Sequence, residues 1–250
     1  MKISNAELLR YSKQIILKKI GISGQKKISS TKVLIVGVGG LGCPLALYLA
    51  NTGIGIIGIV DNDKVDISNL NRQILFNTGD VGKYKVTQAK KFLKKTNRKI
   101  KINIYKERLT EKNVKRILSK YDIICDCSDN FTTRYLLNKF CFKGKKILIS
   151  AAISKFDAHI FNFNFTKNIP CYKCFMPEIP DEENKCDTEG ILPTVAGIAG
   201  SLQANEVIKS ILNKKNELLR KMIIFNTFNL NFRKVKLTKN SNCLCCAKND

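Results

Sequence analysis

The chain has 250 residues, with 44 Lys and Arg against 20 Asp and Glu, a formal net charge of +24. Its 44% hydrophobic content is enough for the core of one large domain and excludes wholesale disorder. No run of about 18 apolar residues occurs, and the start, "MKISNAELLRYSKQIILKKIG", lacks an apolar signal segment, so no membrane partner and no secretory leader are expected.

The positive charge admits a nucleic-acid surface. The lysines are scattered rather than clustered, however, and read as solvated faces, with no nucleic-acid partner expected. A basic surface that steers an acidic protein partner is the other option. Ten cysteines without a signal segment point to a reducing, cytoplasmic compartment. The one histidine, His159, excludes any site that needs two.

Along the chain, residues 5–20 read as an amphipathic helix with Leu8, Leu9, Ile15 and Ile16 available for burial. "KVLIVG" (32–37) is an unbroken apolar strand. "CPLALYLANTG" is a helix with Pro44 in its first turn and Gly53 past its end. Strands are expected at 54–61 and 101–105, with helices at about 82–95 and 111–121. "DIICDCSDN" (122–130) and "KILISAA" (146–152) read as buried strands. This alternation predicts an α/β fold: a doubly wound, mainly parallel, Rossmann-like sheet. From about residue 157 the pattern changes. "AHIFNFNF" places His159, Phe161, Phe163 and Phe165 on one face, as in a half-exposed antiparallel strand. A helix over 195–212, with Ala204, Val207, Ile208 and Ile211 on one stripe, and two closing strands complete an antiparallel C-terminal extension. One domain is expected over 1–250: an N-terminal helical segment (1–30), a nucleotide-binding core (31–155) and the extension (156–250).

Gly37, Gly39 and Gly42 in "VGVGGLG" fit a phosphate-binding turn between a strand and a helix. Asp61 lies 19 residues beyond Gly42, where a carboxylate accepts from ribose hydroxyls. Taken alone, these residues favour an NAD dehydrogenase. The residues beyond Asp61 favour a nucleoside triphosphate. Asp63 comes next, then Ser68, Asn69, Leu70, Asn71, Arg72 and Gln73 as "SNLNRQ", then Lys85. Arg72 and Lys85 supply cations for a charged tail, and Asp129, at a strand end, is placed to hold Mg²⁺.

"RYSKQIIL", "GVGGLG", "DNDKVDISNLNRQ", "CSDN" and two CxxC motifs together resemble the MoeB/ThiF family, relatives of the ubiquitin-activating enzymes. The resemblance runs from about Leu9 to Cys246. It implies ATP-dependent adenylation of the C-terminal glycine of a ubiquitin-like sulfur-carrier protein. The molybdopterin-synthase carrier is the first candidate and the thiamine thiazole carrier the second. It further implies that Gly40 lies against the nucleotide, Asp61 binds ribose, and Asn69, Arg72 and Lys85 approach the phosphates. Asp129, beside Asn130, is the implied Mg²⁺ ligand. The family is dimeric, with an N-terminal arginine reaching the neighbouring subunit's site. Here that position is Lys13, which keeps the charge without the planar fork. The sequence shows no rhodanese-like domain, so a separate sulfur-donor protein is expected. The different-class alternatives are an NAD oxidoreductase, for which His159 has no evident partner, and a basic docking protein without activity.

Cys171 and Cys174 in "CYKC" and Cys243 and Cys246 in "CLCC" offer four thiolates, which suits a closed structural Zn²⁺ site. Cys245 leaves the second pair formally ambiguous. Cys186 stands apart, in an acidic stretch. Its place resembles a reactive cysteine of the family, although Asp187 and Glu189 should blunt a thiolate. Cys43, Cys125, Cys127 and Cys141 read as small core residues.

Overall fold

A computed structural model describes residues 3–178, 190–212 and 218–247. The chain opens with short helices α1 (Asn5–Arg10), α2 (Ser12–Ile15) and α3 (Gly21–Ser30). Ser4 and Glu7 form a reciprocal capping box on α1. The single helix expected over residues 5–20 is thus broken. Its expected burial also fails: α1 and α2 hold no buried residue, and Leu9 and Ile16 are 79% and 72% exposed. Helices this short offer no continuous stripe. Tyr11, between them, turns inward instead, and its hydroxyl accepts from Asn97 at 2.9 Å.

Five strands run parallel: β1 (Lys32–Val36), β2 (Ile56–Val60), β3 (Lys101–Tyr105), β4 (Ile123–Asp126) and β5 (Ile147–Ser154). β6 (Asp157–Asn164), β7 (Lys221–Asn226) and β8 (Asn231–Lys236) continue the sheet antiparallel, in the order β3-β2-β1-β4-β5-β6-β7-β8. The unbroken apolar run of β1 is explained by cover on both faces. Val33 and Ile35 face one core and Leu34 and Val36 the other. The first core is packed by α3, α4 (Gly42–Thr52), α5 (Lys85–Thr96) and α9 (Pro193–Ile211). The second is packed by α6 (Val114–Leu118), α7 (Phe131–Lys143) and α8 (Tyr172–Phe175).

Two further features depart from the sequence reading. α7 has no counterpart in it, because Thr133 to Asn138 are all buried, polar and apolar alike, which erases any stripe. The available signals were its ends: Asn130 caps the helix by accepting from the Thr133 N–H at 2.9 Å, and Gly144 follows Lys143. β6 is not half exposed. Phe161 and Phe163 face one core, while Ile160 and Asn162 are equally buried on the other side. There Asn162 Nδ2 donates to Glu206 at 3.1 Å and Ser210 at 3.0 Å, both on α9.

Candidate functional site

The carboxyl ends of β1, β2, β4 and β5 open on a cleft of about 620 Å³. In an open α/β sheet this is where ligands bind, beside the point at which strand order reverses. The glycine turn forms its floor. Gly37 has φ of 87°, and a Cβ there would come within 2.7 Å of Cys127 O. A Cβ on Gly42 would sit 2.1 Å from Gly37 O, so Gly42 serves the seating of α4 on the turn and does not line the cleft.

Of the residues singled out in the sequence, Gly37, Gly39, Gly40, Asp61, Asp63, Arg72, Gln73, Lys85, Asp129 and Asn130 line the cleft. Asp61 accepts from Val38 N–H and Asp63 N–H, both at 2.8 Å, and burial raises its carboxyl above the usual range. It thereby ties the glycine turn to the end of β2. Lys85 begins α5, and its Nζ lies 2.9 Å from Asp63 Oδ2 with the side chain 8% exposed. Its backbone N–H also donates to Asp63 O at 2.9 Å. Asn130 Nδ2 donates to Asp129 Oδ1 at 3.1 Å.

Ser68, Asn69, Leu70 and Asn71 lie outside the cleft wall, and Ser68 and Asn71 contact Arg72. Asp66 closes a short 3-10 turn (Ile67–Asn69) by accepting from Ser68, and Asn69 Nδ2 donates to Ser68 Oγ. Arg72 Nη1 then donates to Ser68 O at 3.0 Å and Asn71 Oδ1 at 3.1 Å, so the turn brackets the guanidinium at the cleft edge. Lys13 is exposed on α2 and lies outside the cleft. Cys186 falls outside the described residues.

Some cleft residues were not singled out. Ser128 and Arg134 line it, and beneath them lies fully buried Asp126, which accepts from Ser128 Oγ at 2.5 Å and Ser150 Oγ at 2.6 Å. Arg134 donates to Ser128 O at 2.9 Å and Ala151 O at 3.0 Å, and its Nε lies 3.5 Å from Asp126. Burial alone would lower the Arg134 guanidinium, but Asp126 together with Tyr172 and Cys127 outweighs it and holds the charge. The signal was available in "CDCSDN", where a carboxylate interrupts an apolar strand. His159 also lines the cleft, as does Arg108. Cys43, Cys125 and Cys141 are buried as expected, and burial pushes the Cys43 thiol up to about 12. Cys127 is buried too, but at the cleft floor, where it donates to Gln203 Oε1 at 3.4 Å.

The four CxxC sulfurs gather away from the cleft. The Sγ atoms of Cys171, Cys174, Cys243 and Cys246 all lie within 4.8 Å of one another, with 3.6 Å from Cys171 to Cys243 and 3.3 Å from Cys174 to Cys246. Tetrahedral zinc at about 2.3 Å from each sulfur needs sulfurs about 3.8 Å apart, so the donor set fits the metal. Cys245 is not in this group; its sulfur accepts from Asn138 Nδ2 at 3.3 Å. Among the described residues, no helix is long and apolar enough to cross a membrane.

The family model of the ThiF family matches residues 11–245. The chain belongs to the ThiF family. It is 41% identical to the adenylyltransferase and sulfurtransferase MOCS3 of Culex quinquefasciatus over 99% of this chain and 57% of that protein. The relative of the same name from Dictyostelium discoideum is also 41% identical, over 96% of this chain and 57% of that one. This ThiF-family chain therefore spans little more than half the length of these curated relatives. Among solved structures, E. coli MccB with ATP is 27% identical with a TM-score of 0.83, covering 95% of this chain and 74% of that one. The shared architecture agrees with the mainly parallel sheet and antiparallel extension read from the sequence.

Proposed function

We propose that this chain uses ATP to adenylate the C-terminal glycine carboxylate of a ubiquitin-like sulfur-carrier protein. The observation that carries this reading is the convergence of Arg72, Lys85 and Asp129 on the one cleft floored by the glycine turn. A dinucleotide has no use for two cations and a cation-binding carboxylate at one end of its site; a triphosphate does. A carboxylate oxygen of the carrier attacks the α-phosphorus, the bond to the bridging oxygen of the β-phosphate breaks, and pyrophosphate leaves with that electron pair. The acyl-adenylate remains. Arg72 and Lys85 take the charge that grows on pyrophosphate, Asp61 positions the ribose, and holding the reactants in line provides much of the rate. Asp129, with Asn130 beside it, would hold Mg²⁺, which neutralises phosphate charge when bound.

The name shared by the curated relatives supports adenylyl transfer and favours the molybdopterin-synthase carrier over the thiamine thiazole carrier. The remaining parts of the reading are that Cys171, Cys174, Cys243 and Cys246 hold a structural Zn²⁺, that two chains form a homodimer, and that a separate protein donates sulfur. Cys186 is the candidate thiol for covalent sulfur chemistry. The free thiols of the described residues accord with a reducing cytoplasm. ATP–pyrophosphate exchange, measured with each carrier in turn, tests the reading. Exchange that depends on the molybdopterin-synthase carrier is expected; no dependence on either carrier overturns it.

A further inference from the structure

The cleft has a second arm, beyond the residues assigned to the nucleotide. Its walls are the end of β5 and the start of β6. Ile191 forms a parallel bridge to Lys155 there, and Leu192 N–H donates to Lys155 O at 3.0 Å. His159 faces this arm from β6. It pairs with Ala152 on β5 and Ile224 on β7, so the three side chains share one face of the sheet. The single methyl of Ala152 leaves the imidazole open to the cleft.

The other charged groups of the wall are assigned to the nucleotide or tied into the fold. Asp61 accepts from two backbone N–H groups, Lys85 is paired with Asp63, and Arg134 is spent on Asp126 and two carbonyls. His159 has no hydrogen-bond partner among the described residues. Its ring is held by aromatic edges instead, Phe161 at 6.5 Å and Phe175 at 6.4 Å, each at 89°. The charged groups facing it are Asp157 of β6, Arg134 of α7 and Arg233 of β8, while β5, β7 and α8 present only Ala152, Ile224 and Phe175. Burial, aided by the two arginines, holds the imidazole neutral against the pull of Asp157. A neutral imidazole offers one donor and one acceptor, which matches the N–H and C=O of a peptide.

Strand geometry sets where along a peptide this contact falls. His159 lies two strands across the sheet from β4, whose end carries Asp129. Two strand spacings are about 10 Å, and an extended peptide advances about 3.3 Å per residue. We propose that His159 binds and orients the protein substrate by hydrogen-bonding the backbone of its extended C-terminal tail, about three residues before the reacting carboxylate. This rests on the adenylation reading above.

The test is ATP–pyrophosphate exchange on the full chain with the molybdopterin-synthase carrier, with KM for carrier and KM for ATP measured separately. His159→Leu is expected to raise the carrier KM about tenfold, the loss of one hydrogen bond, with the ATP KM and the melting temperature unchanged. His159→Gln, which keeps a donor and an acceptor, is expected to restore most of the affinity. Should His159→Leu melt early, His159→Phe keeps a ring against Phe161 and Phe175 and carries the same expectation. A carrier KM within twofold of wild type, or an equal rise in the ATP KM, overturns the proposal. Wild-type protein with no carrier-dependent exchange overturns the adenylation reading and this proposal with it, so the two failures are distinct.

Discussion

Asp126 and Arg134 form an ion pair 3.5 Å apart under the cleft, with side chains 0% and 5% exposed. The pair sets the backbone of the loop that carries Asp129, because Asp126 accepts from Ser128 N–H at 3.0 Å and Arg134 donates to Ser128 O at 2.9 Å. Removing one partner strands a buried charge, so Arg134→Leu should cost about 3–5 kcal/mol. The double change Asp126→Leu with Arg134→Leu should cost less than the two single changes added together. Urea unfolding of the three variants checks this. Additive losses would mean that the pair is not the unit of stability.

Lys85 is held at the cleft through both its amine and its backbone N–H on Asp63. Lys85→Ala should lower kcat for adenylation by about 10²–10³-fold, the scale for losing one preorganised charge-stabilising group. Asp63→Asn leaves the cation in place and should cost less, about tenfold, through looser positioning. Equal losses in the two variants would show that Lys85 serves the fold rather than the reaction.

The parallel half of the fold is legible in the sequence because β1, β2, β4 and β5 are largely apolar runs, and the glycine turn falls directly after β1. Asp61, Lys85 and Asp129 are legible for the same reason, since they follow strand ends or open a helix, whereas Arg72 is legible only through its place in "SNLNRQ". Arg134 is not, because nothing in "FTTRYLLNKFCFK" separates a buried arginine from a surface one until Asp126 is placed beneath it. The cover on both faces of β6 is equally hidden: it depends on Glu206, more than forty residues away in sequence. His159 reads as a strand residue, and only the pairing with Ala152 shows that it opens on the cleft.

Asp129→Ala should abolish carrier-dependent pyrophosphate exchange while leaving the melting temperature within a few degrees of wild type. Asp129 is exposed at the cleft wall, and the loop beneath it is held by Asp126 and Arg134. Exchange at the wild-type rate, at the same magnesium concentration, would refute its assignment as the cation ligand.

One zinc per chain is expected in protein purified without chelators. Cys174→Ser or Cys246→Ser should lower the zinc content and the stability, because each removes one of four converging sulfurs. Cys245→Ser should keep full zinc, since that sulfur accepts from Asn138 and is not one of the four that all lie within 4.8 Å of one another. Elemental analysis decides both points, and a zinc loss in Cys245→Ser equal to that in Cys246→Ser would reassign the ligand set.

Lys13 tests whether two chains build one site. It is exposed on α2, in a stretch where Leu9, Ile16 and Leu17 are 79%, 72% and 54% exposed. A single chain leaves this apolar surface in water, and a second copy is the occupant that the family resemblance implies. If Lys13 then reaches the neighbouring cleft, Lys13→Ala should lower turnover without preventing dimerisation. Mixing Lys13→Ala chains with Asp129→Ala chains should restore part of the activity, because a mixed dimer holds one site with both groups intact. Lys13→Arg should match or exceed wild type, since a forked guanidinium grips phosphate at least as well as an ammonium. Leu9→Glu with Ile16→Glu should weaken the dimer and lower activity in proportion at low protein concentration. Sedimentation and exchange assays on the same samples read both effects. A monomer with full activity, or mixed chains without rescue, would leave Lys13 an ordinary surface lysine and each cleft complete within its own chain.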